Sequence, residues 1–330
     1  MDLSIVVVSW NTRALTLDGL ESLASAAAGA ADDAVPSVEV LLVDNGSTDG
    51  TAAAVAARFP SVRVIASPRN LGFAAGCNAG VRVASGRHVL FLNSDARLGR
   101  ETLRGCVEYL DRHGDVGVVG PQLLHPDGRR RNSIHNAPTL ISELVPKPLL
   151  QFLFRRRFPS HRWVGERPID VEAVTGAAFF ARAAAIRDVG PLPEDYFLFL
   201  EETDWCLRMR RAGWRVVHLP ALFACHVAGA SSKQRDPALA RIEYHRSLYH
   251  FFRVNRGTGS MAMVFALRLL KTALYLAARA PAALRGDARG RARLAVQRDV
   301  LAWHLRGCPQ SVGFAATSVP AASADPVPGR

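Results

Sequence analysis

The sequence is poor in the features that would place it in several familiar classes. It has five cysteines, Cys77, Cys106, Cys206, Cys225 and Cys308, and none forms a CxxC pair or a zinc-ligand spacing. An odd, scattered set predicts free thiols in a reducing cytosol and excludes a disulfide framework. No run of about 18 uncharged apolar residues occurs, so a membrane-spanning helix is not expected. The N-terminus, MDLSIVVVSW, carries an acid at position 2 and runs straight into a strand pattern, unlike a signal peptide. Acids are in short supply: 29 Asp+Glu against 41 Lys+Arg give a net charge of +12 over 330 residues. That balance calls for an anionic partner, whether nucleic acid, an acidic membrane surface or a phosphorylated ligand. No nucleic-acid recognition module accompanies it, and the arginines gather in an insertion and near the C-terminus, which argues against a nucleic-acid binder. What is present, 49% hydrophobic and 21% charged residues, suits a folded protein with one large domain plus extensions.

The informative pattern is a series of short apolar runs that stop abruptly at polar residues. Val89 to Leu92 fills a buried parallel strand and ends at Asn93, Ser94 and Asp95. Leu3 to Ser9 and Val38 to Val43 are two more such strands, ending near Asn11 and at Asp44, and Val62 to Ala66 is a fourth. Between them lie helical segments: one to about Ala28 capped by Asn11 or Thr12, one over Ala52 to Arg58 capped by Ser47 or Thr48, and one opening at Asn70 to Asn78. Alternating strands and helices predict βαβ units and a parallel sheet. Ligands bind beyond the carboxyl ends of such strands, where a carboxylate can hold a divalent cation against a phosphate. The same polar residues also suit plain turns and helix caps. Gly72 and Gly76 would let backbone approach a ligand, although their spacing is neither a dinucleotide fingerprint nor a P-loop.

Four motifs in order, VVSWNT (Val7 to Thr12), VDNGSTDGT (Val43 to Thr51), NLGFAAGCNAG (Asn70 to Gly80) and FLNSDARL (Phe91 to Leu98), resemble those of family 2 glycosyltransferases. The nearest likeness is to the bacterial rhamnosyltransferase-like branch, and it extends over roughly residues 3 to 230. The resemblance implies an α/β GT-A fold, a Rossmann-like mixed sheet flanked by helices that binds a nucleotide-diphosphosugar. It implies that Asp44 contacts the base or ribose, with Ser9, Asn11, Asn70, Gly72, Asn78 and Asn93 on the donor side. Asp95 corresponds to the metal-binding acid of the Asp-x-Asp signature, and Asn93 stands where its first Asp often lies, leaving one carboxylate in place of two.

Further along, Val171 to Phe180 resembles the family's acceptor-side strand, which implies that Thr175 and Gly176 lie near the site. The stretch from Tyr196 to Arg208 places Glu201, Glu202 and Asp204 in the first turn of a helix directly behind an aromatic wall. A helix dipole favours acids there, and i,i+4 pairing joins Asp204 to Arg208. Desolvation by the wall would also raise a carboxylate's pKa and make it a better base. By resemblance to the Glu-Asp-x-Asp motif, Glu202 takes the place of the catalytic base, Asp204 positions the site, and Glu201 faces the acceptor. His226 matches a residue that completes the metal site with Asp95, a donor set suited to Mn²⁺ or Mg²⁺.

The expected organisation is a catalytic domain over 1–235, an irregular insertion over 121–168, a helical extension over 236–308 and a disordered tail over 309–330. The triplets Arg129-Arg130-Arg131 and Arg155-Arg156-Arg157 are solvated surface or a grip for phosphate or lipid headgroups. Ser260 to Ala280 is a long apolar helix broken by Arg268, Lys271 and Arg279, and arginines continue to Arg298. That combination suits a helix lying in an anionic membrane interface, or one packed on the catalytic domain or a partner. The chain is therefore expected to be an inverting, metal-dependent glycosyltransferase. Its donor is a dTDP-, UDP- or GDP-sugar, possible rhamnose among them, and its acceptor a lipid-linked or cell-surface glycan. It is expected in the cytoplasm at the inner face of a bacterial cell membrane. A nucleotide-sugar-binding protein without turnover is the alternative, since Asn93 and Glu202 depart from the family pattern.

Overall fold

The computed structural model describes residues 1–27, 36–154, 165–227, 236–283 and 288–314. The expected apolar runs form β1 (Leu3–Ser9), β2 (Val38–Asp44), β3 (Arg63–Ala66) and β4 (His88–Asn93), with α1 (Arg13–Ala27), α2 (Thr51–Arg58) and α3 (Phe73–Val81) between them. There follow β5 (Ala96–Leu98), α4 (Arg100–Arg112), β6 (Val116–Leu124), β7 (Ile134–His135), α5 (Leu140–Leu144), α6 (Lys147–Leu153), β8 (Ile169–Asp170), β9 (Ala173–Val174), β10 (Ala178–Arg182) and α7 (Ala183–Val189). The chain continues through α8 (Glu201–Arg211), β11 (Arg215–His226), α9 (Pro237–Arg256), α10 (Thr258–Ala283) and α11 (Ala288–Leu305). The main sheet has the order β3-β2-β1-β4-β10-β6-β11-β5, with β8 beside β11, while β7 and β9 form a separate pair. β1 to β4 are parallel and β10 runs against them, so the sheet is mixed and flanked by helices, as expected.

Side-chain alternation builds a core on each face. Leu3, Ile5 and Val7 of β1 and Leu90 and Leu92 of β4 bury into one cluster with α1 and α4. Val6, Val89 and Phe91 enter the other, with Trp205 of α8. Phe91 stacks on Phe179 of β10 with ring centroids 4.7 Å apart, and Trp205 meets Phe91 edge-on at 6.0 Å. The Trp205 indole N–H is satisfied by Gly190 O at 2.9 Å, so the ring is held in one orientation.

The structure departs from the sequence reading at several places. Asn93 to Asp95, which also suited a turn or a helix cap, are followed by a short strand, Ala96 to Leu98, paired with the end of β11. β6 and β11 run to Leu124 and His226 through Pro121 and Pro220, so β6 enters the stretch from 121 that was expected to be an irregular insertion. A register shift between Leu219 and Phe223 lets the β6–β11 pair tolerate those prolines, so residues 121–124 belong to the sheet and not to an insertion. The Val171 to Phe180 run breaks at Thr175 to Ala177, leaving β9 and β10 in different sheets. α2 is capped by Gly50 in a left-handed conformation, without a side-chain cap from Ser47 or Thr48. The second arginine triplet, Arg155 to Arg157, and residues 315–330 lie outside the described residues.

The three last helices form their own cluster around Tyr249, Phe251, Phe252, Val264, Val300 and Trp303. Asp236 caps α9, accepting from Ala238 N at 2.8 Å, and Pro237 follows in the first turn. α9 packs on the catalytic unit: Ser247 Oγ donates to Leu198 O and Asn255 Nδ2 to Asp204 Oδ1, each at 2.8 Å. Tyr249 OH and His304 Nε2, 2.6 Å apart, join α9 to α11. In α10, Thr258–Arg279 has mean hydropathy 1.6 and is long and apolar enough, by length and composition, to cross a membrane, yet only 11% of its most apolar stretch is buried. Its Arg268 and Lys271 reach back to Glu143 of α5. Residues 309–314, expected to be disordered, instead pack against α9, with Phe314 buried.

Candidate active site

Sheet register decides where the polar ends fall. Ser9 pairs with Asp44 and Val8 with Asn93, so β1, β2 and β4 end on one line. Beyond that line lies a cavity of about 370 Å³. Asn45, 2% exposed, organises one side of it. Its Nδ2 donates to Asn70 Oδ1 and Gly72 O, and its Oδ1 accepts from Leu71 N, all at 2.9 Å. Asn70 Oδ1 also accepts from Gly72 N at 2.9 Å. Gly72 has φ +89°, and a Cβ there would lie 2.5 Å from Phe197 O, so only glycine permits the 196–200 loop to close on this side. Phe73 N donates to the same Phe197 O at 2.9 Å.

The second element is a carboxylate–imidazole pair. Asp95 follows β4, and the antiparallel match of β11 with β5 sets His226 opposite Ala96. His226 Nε2 therefore comes within 3.1 Å of Asp95 Oδ1, with Asn93 Nδ2 at 3.5 Å. Both residues are buried, and the other ring nitrogen, His226 Nδ1, has no partner among the described residues. One oxygen and one nitrogen donor, both facing the cavity, leave coordination positions for two diphosphate oxygens, so the pair fits a divalent metal. No cluster of three or more His, Cys, Asp or Glu able to hold a metal occurs among the described residues.

The third element is the start of α8. Trp205, wedged against Phe91 and Phe179, fixes the rotation of this helix, and Glu201 and Glu202 lie one turn before it on the same face. The chain enters through Phe199 (φ 74°) and Leu200 (φ 69°), two successive non-glycine residues in the left-handed region. Such strain persists only where surrounding contacts over-determine it, and here Ser247 and Gly72 hold the loop from both sides. Glu201 is buried and Glu202 half-buried, and each keeps an Oε2 without a partner. Withdrawal from water pushes both carboxyls above the usual carboxylate range; the Glu202 charge adds to this at Glu201, while N–H groups of Gly176 and Thr203 oppose it at Glu202.

The cavity thus brings together Asn70, Gly72, Asn93, Asp95, Thr175, Gly176, Glu201, Glu202 and His226 from the expected set. Five others stand outside its lining. Ser9 is spent in a buried hydroxyl cluster, 3.0 Å from Thr12 Oγ1 and 2.8 Å from Thr16 Oγ1. Asn78 ties α3 to the 192–194 segment, donating to Leu192 O at 2.9 Å and to Glu194 Oε1 at 2.8 Å. Asn11 Oδ1 accepts from Thr48 N at 2.8 Å and Asp44 Oδ1 from Ser47 N at 3.1 Å, which shapes the loop after β2. Asp204 is taken up by Asn255 of α9.

The family model for glycosyl transferase family 2 matches residues 4–186. The chain belongs to glycosyl transferase family 2. This glycosyltransferase is 30% identical over 235 residues to an N-acetylglucosaminyl-diphospho-decaprenol L-rhamnosyltransferase of Mycobacterium tuberculosis, covering 65% of this chain and 74% of the relative. It is 24% identical over 196 residues to a dTDP-rhamnosyl transferase, RfbF, of Shigella flexneri, covering 58% and 61% of the two chains. Among solved structures it resembles the mannosyltransferase PcManGT of Pyrobaculum calidifontis in complex with GDP-Man and Mn²⁺, at TM-score 0.56 and 19% identity over 93% of this chain and 88% of that one. The shared architecture is the expected GT-A fold, and the two relatives named here are rhamnosyltransferases, in line with the rhamnosyltransferase-like branch.

Sequence reasoning overlooked several residues that this transferase places at the cavity. Asn45 and Trp10 stood inside quoted motifs without being singled out. Phe197 to Phe199 were legible as an aromatic wall. Phe314 also lines the cavity, and nothing in its Pro/Ala/Ser-rich surroundings signals this.

Proposed function

We propose that this glycosyltransferase moves a sugar, rhamnose by the names of its relatives, from a nucleotide-diphosphosugar to a hydroxyl of a lipid-linked glycan, with inversion. The observation that carries the reading is the pair of partnerless carboxylate oxygens at the start of α8, in the same cavity as Asp95 and His226. The loop shaped by Asp44 and Asn11 faces the nucleotide base, and the Asn45–Asn70–Gly72 network receives the donor. Asp95 and His226 hold a divalent metal, Mn²⁺ or Mg²⁺; when bound, it offsets the negative charge that grows on the departing diphosphate. Glu202 takes the proton from the acceptor hydroxyl, whose oxygen forms the new bond to the anomeric carbon as the bond to the diphosphate breaks on the opposite face. One displacement inverts the centre and needs no enzyme nucleophile.

A second cavity of about 250 Å³ reaches Glu202 from the side of α5 and α6, lined also by Ser142, Gln151, Phe199 and Tyr244. It supplies the acceptor's approach, and the exposed Phe152, Leu153 and Phe154 at the end of α6 suit a lipid carrier. The excess of Lys+Arg supports a peripheral contact with an anionic membrane, at the inner face of the bacterial cell membrane. The test is thermal unfolding against dTDP, UDP and GDP with and without Mn²⁺, since a ligand bound to the native state raises Tm by mass action. The expected result is metal-dependent stabilisation by one nucleotide, lost in Asp95→Asn and His226→Ala. Absence of stabilisation by any nucleotide with metal present would overturn the donor assignment.

A further inference from the structure

A groove of about 580 Å³ lies among the last three helices, away from the residues assigned to transfer. Arg241 and His245 of α9, Arg268, Lys271 and Tyr275 of α10, and Arg293 of α11 line it, and no Asp or Glu does among the described residues. Arg268 and Lys271 each make one contact with Glu143 of α5, outside the groove lining. Arg241 and Arg293 are exposed and make no ion pair among the described residues. Four cations around one concavity repel one another unless an anion sits between them.

Two further features point to a ligand. His245 is 3% exposed, lines the groove, and its Nδ1 has no partner; the Arg268 Nε is also without one. Burial, then the charge of Arg268, the His304 ring and Arg241, pushes the His245 pKa down to about 3, so the ring is neutral and can offer an N–H donor to an oxyanion. α10 also carries two distinct stripes. Arg268, Lys271, Thr272 and Tyr275 follow i, i+3, i+4, i+7 spacing and face the groove. Met263, Leu270 and Leu274 form a second stripe about a third of a turn away, at 54%, 56% and 59% exposure. A free phosphate has no use for that apolar stripe, whereas a lipid has both parts.

We propose that this groove holds the phosphate of an anionic phospholipid headgroup, with the exposed stripe of α10 lying among the acyl chains. The arginines supply bidentate contacts to the phosphate, Lys271 a point charge, and His245 a neutral donor from below. The membrane contact is then a stereospecific site in the helical extension and not only diffuse attraction to arginine-rich surface. It deepens the membrane reading given above but requires neither donor nor acceptor, so a failed transfer assay leaves it standing.

The test is co-sedimentation of the full chain with phosphatidylcholine vesicles containing phosphatidylglycerol, and with phosphatidylcholine alone. Two charge-matched double variants are compared: Arg241→Gln with Arg293→Gln in the groove, and Arg63→Gln with Arg187→Gln on the exposed surface of the catalytic unit. All four positions are exposed, and a melting curve checks that each variant folds. The groove variant is expected to lose about 10- to 30-fold in partitioning onto the anionic vesicles, and the surface variant much less. Leu270→Gln with Leu274→Gln should weaken vesicle binding while keeping the preference for the anionic lipid. Equal losses in the two charge variants, or an unchanged groove variant, would overturn the site. Stabilisation by inorganic phosphate that depends on Arg241 and Arg293, without any groove-dependent vesicle binding, would overturn the lipid and assign a soluble phosphate.

Discussion

The two walls of the candidate cavity are built on opposite principles. On the side of β2 and α3, every polar atom of Asn45 and the acceptor of Asn70 are matched at 2.9 Å, and the backbone strain falls on glycine. On the side of α8, two neighbouring carboxylates keep unpaired oxygens, and two non-glycine residues in left-handed geometry precede them. The first wall is stabilising by itself and presents a fixed surface. The second costs stability, which the packing of Trp205 and α9 offsets. On the proposed roles the contrast has a reason: a wall that only binds can be fully satisfied, whereas one that exchanges protons must keep capacity free.

The sharpest way to break this comparison is Glu202→Gln. It should lower transfer by about 1,000-fold or more, the contribution of a positioned base, while the Tm response to nucleotide and Mn²⁺ remains. A variant with near-normal turnover would remove Glu202 from its assigned role. Asn45→Ala probes the other wall and should act with the opposite balance, costing about 1–3 kcal/mol of stability in denaturant unfolding by stranding the Leu71 N–H and removing the bonds to Asn70 and Gly72. An unchanged midpoint would mean that the asparagine network does not hold this wall.

A smaller effect concerns pH. Glu201 and Glu202 both titrate above the ordinary value of 4.5 in the folded protein. The native state therefore holds their protons more tightly than the unfolded chain does. That contribution is complete below the ordinary value and is lost as pH rises through the raised ones. The Tm of Glu202→Gln, measured against the parent chain from about pH 5 to 8, should shift progressively in the variant's favour, by a few degrees. Transfer by the parent should rise as pH climbs past the raised Glu202 value and the base loses its proton. Parallel Tm curves would show that the pair is not perturbed.

The binding wall was more legible than the reacting one. Apolar runs ending in Asn93 and Asp95, and in Asp44, located the sheet edge because a buried parallel strand announces itself by composition. The acids at 201, 202 and 204 announced the helix start. Their environment did not show, because the left-handed turn at Phe199 and Leu200 uses residues that carry no signal for it. The approach of His226 to Asp95 depends on a three-residue strand too short for periodicity to reveal and on a twelve-residue strand that Pro220 disguised. Asp204, expected to position the site, is instead engaged by Asn255 of a helix that the sequence left free to face a membrane, a partner or the domain.

Phe314 closes part of the cavity wall, and Arg246 and Glu243 of α9 clasp the segment that bears it. The strands that carry Asn11, Asp44 and Asp95 belong to the first hundred residues. During synthesis at roughly 5–20 residues per second, the nascent sheet can form long before its last wall emerges from the ribosome. The cavity is thus closed by a segment made more than 200 residues after Asp95, so a chain that has grown only through its first strands presents an open basin in place of a walled cavity.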